Sequence, residues 1–474
     1  MPPINLILVG LGPHARRIYY PLLEKYAARN ELRLLLVVDL LDQEATIRSF
    51  LKVFALQPDQ LYFGDPDWRG SETLAPDVLN ILNAFAPQAD GIIISTEPKA
   101  HKAYALWAVD HGLDVLMDKP ISAPLDVTNR IGAAQRILED YEEIDQHLAQ
   151  SSANFIVQCQ RRSHRGYQYV HQYLRDFVQE FQVPISFLDI YHADGMWAMP
   201  DELFTRENHP YKYGYGKLMH SGYHFIDLFC WLADVNNAIP HKRPNNADVF
   251  VRHFNPADFL HQLEQTDYQR LMKTDRFAPA FAPEREALAE SFGEMDVFIS
   301  AQLLRDQHVT TTASINLQQN SFSRRASPEP PIDVYKGSGR VRHERLTVQV
   351  STLLTIQVHS YQAYGDGTRH ADLHGAGHPD HFDVYVFRNS GVVGGSPLEK
   401  FSFGEQASQR RLTDPTYLGH NEAAREEIFL DFLQGRTSPS HFSAHRRTNI
   451  LLSHIYECIA LGRNGVSPRS CFPL

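Results

Sequence analysis

Two histidines and an aspartate stand close together near the middle of the chain, in the stretch GKLMHSGYHFIDLF, residues 216–229. His220 and His224 are four residues apart, and Asp227 follows three residues later. Positions i and i+4 of a helix lie on one face. Such a pair can bind zinc, or it can present one imidazole to a substrate as an acid or base. Two histidines packed in a helix are the third interpretation, and the stretch alone leaves all three open.

A glycine-rich turn near the N-terminus indicates a second chemical function. The segment ILVGLGPHA carries Gly10, Gly12 and Ala15 in the pattern G-x-G-x-x-A, directly after an apolar run at residues 4–9. Gly10 permits a tight turn, Gly12 lets the backbone approach a pyrophosphate, and Ala15 allows close packing of helix on strand. The phosphates would meet the helix N-terminus. The turn, including His14, is therefore predicted to bind a dinucleotide.

An acidic residue, Asp39, follows the second apolar run, in VVDLL. A carboxylate at this position can accept hydrogen bonds from both ribose hydroxyls of NAD, and it would repel the extra phosphate of NADP. The next residues, Leu40 and Leu41, provide no cation for that phosphate. The sequence therefore favours NAD over NADP.

A lysine, Lys119, follows the apolar run DVLM within Asp118-Lys119-Pro120. In an open α/β sheet the ligand lies beyond the carboxyl ends of the strands, so Lys119 is expected where a nicotinamide and its substrate meet. A lysine crowded by a cofactor can have a lowered pKa and take part in proton transfer. A surface turn without a function is the alternative.

Two hydrophobic patterns in the sequence predict the secondary-structure elements that position these residues. Up to about residue 120, short apolar runs alternate with helical spacing, which predicts a parallel sheet covered on both faces. Residues 154–159 (NFIVQC) form its expected last strand. Later runs have β character without alternating helices, which predicts a mostly antiparallel sheet in an α+β domain. These runs are residues 184–192, 247–254, 296–303, 309–317, 346–362 and 382–387.

The expected organisation is a dinucleotide-binding α/β domain at residues 1–150 and a substrate and oligomerisation domain at residues 160–474, ending in helices. Residues 255–294 are polar, interrupted by prolines and weakly helical in pattern, which suggests an insertion over the sheet. Residues 365–379 contain three histidines among glycines; a solvated loop is favoured over a metal-binding tract.

Composition excludes several classes of protein. The chain has 474 residues and a net charge of −11, which argues against a general nucleic-acid binder. Its four cysteines lie far apart, so neither a disulfide framework nor a structural zinc site is expected. No apolar run approaches the roughly 18 residues of a membrane span. A cytoplasmic protein without a membrane segment or metal is expected.

Together, these motifs resemble the inositol dehydrogenase and glucose–fructose oxidoreductase family. The resemblance rests on the glycine turn, on residues 95–101 (STEPKAH), on residues 112–120 (GLDVLMDKP), and on the stretch at residues 216–229. The family usually has Glu-Lys-Pro where this chain has Asp-Lys-Pro. The resemblance implies an N-terminal Rossmann domain, a C-terminal α+β domain with a large open sheet, and a homo-oligomer, dimer or tetramer, assembled through that sheet.

The resemblance also implies roles for individual residues. Lys119 falls on the lysine beside the nicotinamide, His224 on the catalytic histidine, and His220 on a position that the family commonly fills with aspartate. Further cofactor contacts are implied at Ser95, Thr96, Pro98, His101 and Asp118. Residues that could touch substrate, although packing explains each equally well, are Arg161, Tyr167, Trp197 and Tyr223.

The predicted reaction is hydride transfer between a nicotinamide and a secondary alcohol of a sugar or cyclitol. His224 would carry the hydroxyl proton, and Lys119 would stabilise charge on the same oxygen. One alternative is a glycosidase or lyase on the same scaffold that borrows and returns the hydride. Others are a non-catalytic dinucleotide-binding regulator and a metal enzyme, which would lack the Glu of HExxH at position 221. The sequence does not separate a cyclitol from a hexose, an amino sugar or a nucleotide sugar.

Overall fold

The chain forms two compact units. A computed structural model describes residues 2–195, 199–322, 341–363, 380–403 and 420–474. The first unit comprises Met1–Pro124, Arg136–Ser163 and Asn421–Asn449; the second comprises Leu125–Gln135, His164–His420 and Ile450–Leu474. The predicted boundary, between residues 150 and 160, lies near one of the points where the chain passes from one unit to the other. No sequence pattern signalled the passages near residues 125, 136, 421 and 450.

The first unit is built on a parallel sheet, as the alternating apolar runs predicted. The described strands number six and are ordered β3-β2-β1-β4-β5-β6. Apart from the edge strand β3, their burial on both faces explains why they appear as continuous apolar runs. The strand order reverses between β1 and β4, the place where such sheets bind ligands. The strands are β1 (Ile4–Val9), β2 (Leu32–Leu40), β3 (Gln60–Gly64), β4 (Gly91–Ile94), β5 (Asp114–Asp118) and β6 (Phe155–Gln158).

A helix from the C-terminal part of the chain, His420–Leu433, completes the core of the first unit. Phe429 and Phe432 are buried among side chains of β1, β2 and the helix Tyr19–Ala27. The ring of Phe429 stacks on that of Tyr26 at 5.7 Å between centroids. The hydroxyl of Tyr26 donates to Glu426 at 2.9 Å. The hydrophobic core of the first unit therefore depends on residues more than 400 positions apart in sequence.

The second unit contains a larger, mostly antiparallel sheet, also as predicted. Among the described residues nine strands are ordered β14-β13-β12-β11-β7-β10-β9-β8-β15, and only β7 and β10 pair in parallel. The strands are β7 (Phe187–Ala193), β8 (Asn246–Phe254), β9 (Asp296–Arg305), β10 (His308–Gln318), β11 (Val341–Val350), β12 (Leu354–Ala363), β13 (Asp380–Arg388), β14 (Leu398–Ser402) and β15 (Arg469–Pro473).

The apolar run at residues 346–362, expected as one β segment, is divided between two antiparallel strands, β11 and β12. Ser351 adopts a left-handed conformation with φ +49°, and Leu353 donates its N–H to the carbonyl of Val350 at 3.1 Å. A tight turn therefore replaces the expected continuous strand. Its sequence, STL, contains none of the glycine or asparagine residues that usually mark such a turn.

The predicted insertion at residues 255–294 is helical. It contains Pro256–Gln262, Gln265–Met272 and Pro283–Glu290. Phe259 and Phe292 pack with Leu203 and Tyr211 in a small apolar cluster of the second unit. The histidine-containing segment at residues 365–379 lies outside the described residues.

None of the helices in the described ranges is both long and apolar enough to cross a membrane. The described α-helices are Pro13–Arg17, Tyr19–Ala27, Glu44–Leu51, Pro76–Phe85, His101–Asp110, Ile131–Leu148, Arg165–Phe181, Glu202–Thr205, Tyr223–Ala233, Pro256–Gln262, Gln265–Met272, Pro283–Glu290, Ser390–Val393, His420–Leu433 and Arg446–Arg463.

Candidate active site

The glycine turn after β1 leaves room for a ligand. Gly10 has φ +84°, and a Cβ there would lie 2.4 Å from the carbonyl oxygen of Ser95, so the position requires glycine. Gly12 precedes the first helical residue, and a Cβ on it would meet nothing within 4 Å. Ala15 is fully buried. The turn is thus closely packed at Gly10 and Ala15 and open at Gly12, the position expected to face a pyrophosphate.

Asp39, at the end region of β2, is tied to this turn. One carboxylate oxygen accepts the N–H of Leu11 and the other accepts the N–H of Leu40, both at 2.7 Å. Burial raises the pKa of Asp39, while these two N–H groups and the charges of Arg69 and Arg16 act in the opposite direction. The residues directly after Asp39 could not predict these two cations, because Arg16 precedes Asp39 in the chain and Arg69 lies thirty positions after it.

Asp118, the last residue of β5, collects several of the predicted cofactor residues. Its carboxylate accepts hydrogen bonds from the hydroxyls of Tyr19 at 2.6 Å and Ser95 at 2.7 Å. The Nε2 atom of His14 lies 3.6 Å from the same group. Burial raises the pKa of Asp118, but His14 and the two hydroxyl donors outweigh burial and hold the pKa below its ordinary value. Tyr19 was missed from sequence, since it is indistinguishable there from an ordinary helix residue.

His101 joins two loops of the first unit. Its fully buried ring places Nδ1 2.7 Å from the carbonyl oxygen of Pro120 and Nε2 3.2 Å from that of Thr96. Burial lowers the pKa of His101, which favours the neutral ring. A neutral imidazole carries a single N–H, and the shorter contact assigns it to Nδ1. Through Pro120, His101 therefore positions the loop that carries Lys119. The side chains of Lys119 and Pro98 are partly buried.

In the second unit, His220 and His224 do not lie on one regular helix, contrary to the expectation from their spacing. The N–H of Gly222 donates to the carbonyl of Lys217 at 2.7 Å, which makes a wide turn over Leu218–Gly222. His220 has φ −79° and ψ −107°, outside the helical region. His224 is the second residue of the α-helix Tyr223–Ala233. Wide turns of this kind occur frequently at functional sites, and this one removes the helical face assumed for a zinc pair.

Aromatic rings and a third histidine surround His220. The ring of His209 lies 4.8 Å from that of His220 and is nearly perpendicular to it. The rings of Tyr211 and Tyr215 each lie 6.0 Å from His220. His209 has φ +59°, a conformation that costs a non-glycine residue about 1 kcal/mol or more. Nothing in the sequence pattern had singled out His209.

A buried ionic cluster lies beside the same turn, centred on Asp194. Lys217 Nζ is 3.4 Å from Asp194 Oδ2, and the hydroxyl of Ser221 donates to that oxygen at 2.7 Å. Arg342 Nε and His192 Nε2 each lie 3.7 Å from Oδ1. Lys217 and Asp194 are almost completely buried. His192 lies in β7, Arg342 in β11 and Ser221 in the turn, while Asp194 directly follows β7 and Lys217 directly precedes the turn. No local sequence pattern could therefore have grouped them.

The side chains proposed from sequence as substrate contacts are mostly packed in the interior. Tyr167 donates its hydroxyl to Glu344 at 3.0 Å, and the guanidinium of Arg161 donates to the side chain of Asn421. Both are about 1% exposed, and Tyr223 is fully buried. Contact of these residues with a substrate stays a prediction. Trp197 lies outside the described residues.

Comparison with known proteins bears on the fold. No protein-family model and no curated protein sequence matches the chain. Solved structures match over the full length. The WlbA dehydrogenase from Bordetella pertussis, solved with NADH and UDP-GlcNAcA, has a TM-score of 0.55 at 14% identity; the match covers 100% of this chain and 98% of that one.

Two further structures match in the same way. The aldose-aldose oxidoreductase from Caulobacter crescentus, solved with glycerol, has a TM-score of 0.53 at 14% identity and covers 100% of both chains. Apo scyllo-inositol dehydrogenase from Lactobacillus casei has a TM-score of 0.52 at 14% identity, covering 99% of this chain and 98% of that one. The chain has the fold of these solved dehydrogenases and oxidoreductases. The predicted fold class is thereby confirmed, while identities this low leave activity and substrate to be argued from the residues.

Proposed function

We propose that the protein is an NAD-dependent oxidoreductase that moves a hydride between nicotinamide and a secondary alcohol carbon of a sugar or cyclitol. The observation that carries the proposal is the arrangement at the glycine turn. Gly12 opens onto free space, and Asp39 is fixed beside the turn by the N–H of Leu11. A turn of this shape next to an acid at the end of β2 is suited to a pyrophosphate and a ribose.

The donor set of the first unit fits this cofactor. Gly10 and Gly12 would hold the pyrophosphate, and Asp39 would accept hydrogen bonds from the ribose. The loops after β4 and β5, joined by His101, would border the nicotinamide with Thr96, Pro98 and Lys119. Dehydrogenases of the same fold have been solved with NADH, as in the Bordetella pertussis structure.

The chemistry requires a proton carrier and a group that polarises the substrate oxygen. NAD⁺, when bound, accepts the hydride at C4 of its nicotinamide. His224 is assigned the hydroxyl proton, because an imidazole titrates near neutral pH. Lys119 is assigned a hydrogen bond to the same oxygen, which stabilises the negative charge that develops on it. A non-catalytic regulator would need neither residue.

Substitution of Lys119 and His224 tests the proposal. In Lys119→Ala and His224→Ala we expect turnover to fall by about 10²- to 10⁴-fold, because each loses a group that acts on the reacting oxygen. Turnover is followed by the absorbance of reduced nicotinamide with a panel of polyols, sugars and nucleotide sugars. His241→Ala, at an exposed histidine of the second unit, is the matched control and should leave turnover unchanged.

Cofactor affinity, measured separately by calorimetry, should change little in His224→Ala. Unaltered turnover in Lys119→Ala would refute the assignment. Cleavage of a glycoside without accumulation of reduced cofactor would favour the glycosidase or lyase alternative instead.

A further inference from the structure

A buried carboxyl group, Glu294, contacts the segment that leads into the wide turn of His220. Glu294 precedes β9 and is fully buried. Its Oε1 atom accepts the N–H of Leu218 at 2.8 Å and the hydroxyl of Tyr456 at 2.9 Å. Its Oε2 atom is buried and has no hydrogen-bond partner within the described residues. A buried orphan oxygen is costly and requires an explanation.

The backbone of Glu294 contacts the same segment. Its carbonyl oxygen accepts the N–H of Lys217 at 2.8 Å. A Cβ on Gly216 would lie 2.0 Å from that carbonyl, and a Cβ on Gly293 would lie 2.0 Å from the carbonyl of Tyr215. Two glycines therefore let the two backbones pass at a distance that no side chain allows. Glu294 holds consecutive N–H groups, those of Lys217 and Leu218, immediately before the turn.

We infer that Glu294 is a positioning residue, whose buried carboxyl group and backbone carbonyl fix the turn Leu218–Gly222 and, through it, the start of the helix that carries His224. Glu294 itself touches no reacting atom in this assignment. The catalytic consequence rests on the proposed function, since it matters for turnover only if His224 carries the proton. The structural consequence is that the turn depends on Glu294, and this consequence is independent of the proposed function.

The electrostatic surroundings favour the neutral form. Burial raises the pKa of Glu294 to about 7, against the opposing effects of the Leu218 N–H, its own N–H, Tyr456 and Arg463. Arg463 is the cation acting on it from the C-terminal helix, and that guanidinium also donates to the carbonyl of Phe292 at 2.7 Å. Glu294 also acts on the pKa of Tyr211, and Lys217 acts on that of Asp296, two residues after Glu294.

The sign of the pH dependence follows from this pKa. The folded chain keeps the proton up to about pH 7, whereas the unfolded chain loses it near the ordinary value of 4.5. The stabilisation is therefore complete below about pH 4.5, falls as the pH rises toward 7, and stays constant above it. Ionisation within the folded chain leaves a buried carboxylate whose Oε2 atom has no donor among the described residues. The cost of keeping this charge out of water favours opening of the turn.

Hydrogen exchange of the turn, followed by mass spectrometry from about pH 5 to about pH 9, tests the inference without any substrate. After correction for the intrinsic rate of exchange, protection of a peptide covering residues 216–224 should decrease in the wild type as the pH rises from about 5 to about 7, and should stay constant above that. In Glu294→Gln, which keeps the acceptor but cannot ionise, protection should be independent of pH. In Glu294→Leu it should be low throughout. The helix His101–Asp110 of the first unit serves as the internal reference.

Turnover provides the second readout. The wild type should lose activity above about pH 7, and Glu294→Gln should lack this alkaline limb while keeping the acidic limb expected of His224. The same pH dependence of exchange in Glu294→Gln and wild type would overturn the inference, as would unchanged protection in Glu294→Leu. A pH-dependent turn in a protein that reduces no cofactor would instead refute the proposed function and leave the role of Glu294 in the turn standing.

Discussion

Gly10 and Gly12 serve one turn for different physical reasons. Gly10 has a positive φ, and a Cβ on it would lie 2.4 Å from the carbonyl oxygen of Ser95. The folded chain itself therefore requires glycine at this position. Gly12 has an ordinary negative φ and open space around it. No described part of the folded chain therefore excludes a side chain at Gly12, whereas a bound pyrophosphate would. The sequence motif does not distinguish the two cases, because both appear as glycine.

Alanine at each glycine separates folding from binding. Gly12→Ala should fold with a free energy of unfolding within about 0.5 kcal/mol of wild type, yet bind NAD at least about tenfold more weakly, because its methyl group occupies the ligand's space. Gly10→Ala should lose about 2 kcal/mol or more of stability through strain and the clash. Denaturant unfolding and calorimetry measure the two quantities. Unchanged NAD affinity in Gly12→Ala would contradict the assigned turn.

In the proposed cofactor site, Asp39 is the residue expected to discriminate between NAD and NADP. In Asp39→Ser, we expect NAD to bind about tenfold more weakly, since a charge-assisted acceptor for the ribose is lost. The affinity for NADP should decrease less than that for NAD, or increase. The charges of Arg16 and Arg69, which act on Asp39 in the wild type, remain to attract the extra phosphate of NADP. Calorimetric titration of both cofactors into wild type and variant measures the difference. Equal losses for the two cofactors would show that Asp39 does not read the ribose.

At the scale of elements, the crossing of two backbone segments shapes the turn of His220. Gly216→Ala should destabilise the second unit by about 3 kcal/mol or more, because a Cβ there would lie 2.0 Å from the Glu294 carbonyl. Gly132→Ala is the matched control in the helix Ile131–Leu148, where a Cβ meets nothing within 4 Å. It should be neutral or stabilising by up to about 1 kcal/mol. Similar unfolding free energies for the two variants would contradict the crossing.

The elements differ in how far sequence could predict them. The parallel strands and the glycine turn were predictable, because burial on both faces and a tight turn leave local marks. The wide turn at His220 could not be predicted, because the four-residue spacing of His220 and His224 is also that of an ordinary helix. His209, Asp194 and Glu294 were missed for another reason: tertiary contacts, rather than neighbours in sequence, bring them to the turn.

At the scale of the whole molecule, the first unit is not made from the N-terminal part of the chain alone. Phe429, from the segment Asn421–Asn449, is fully buried in its core and stacks on Tyr26. Sequence periodicity predicted a helix there but could not say which core it completes. A fragment ending before residue 421 would lack this apolar contribution, so we expect it not to fold stably.

Truncation of a single side chain tests this dependence. Phe429→Ala should lower the free energy of unfolding of the first unit by about 3 to 5 kcal/mol, because it removes a buried ring and leaves a cavity. Val53→Ala, at an exposed apolar residue of the same unit, is the control and should change stability by less than about 0.5 kcal/mol. Denaturant unfolding measures both. A negligible loss of stability in Phe429→Ala would mean that the helix His420–Leu433 contributes little to this core.

Hydride transfer from the substrate to a nicotinamide is tested most directly by isotope tracing. A sugar or cyclitol that reduces the cofactor is supplied with deuterium on its carbinol carbon, and the reduced nicotinamide is analysed by mass spectrometry. The wild type should place the deuterium on the cofactor, and Lys119→Ala should do so at least about 100-fold more slowly. Conversion of the substrate without deuterium in the cofactor, at a rate that Lys119→Ala leaves unchanged, would contradict the proposed function.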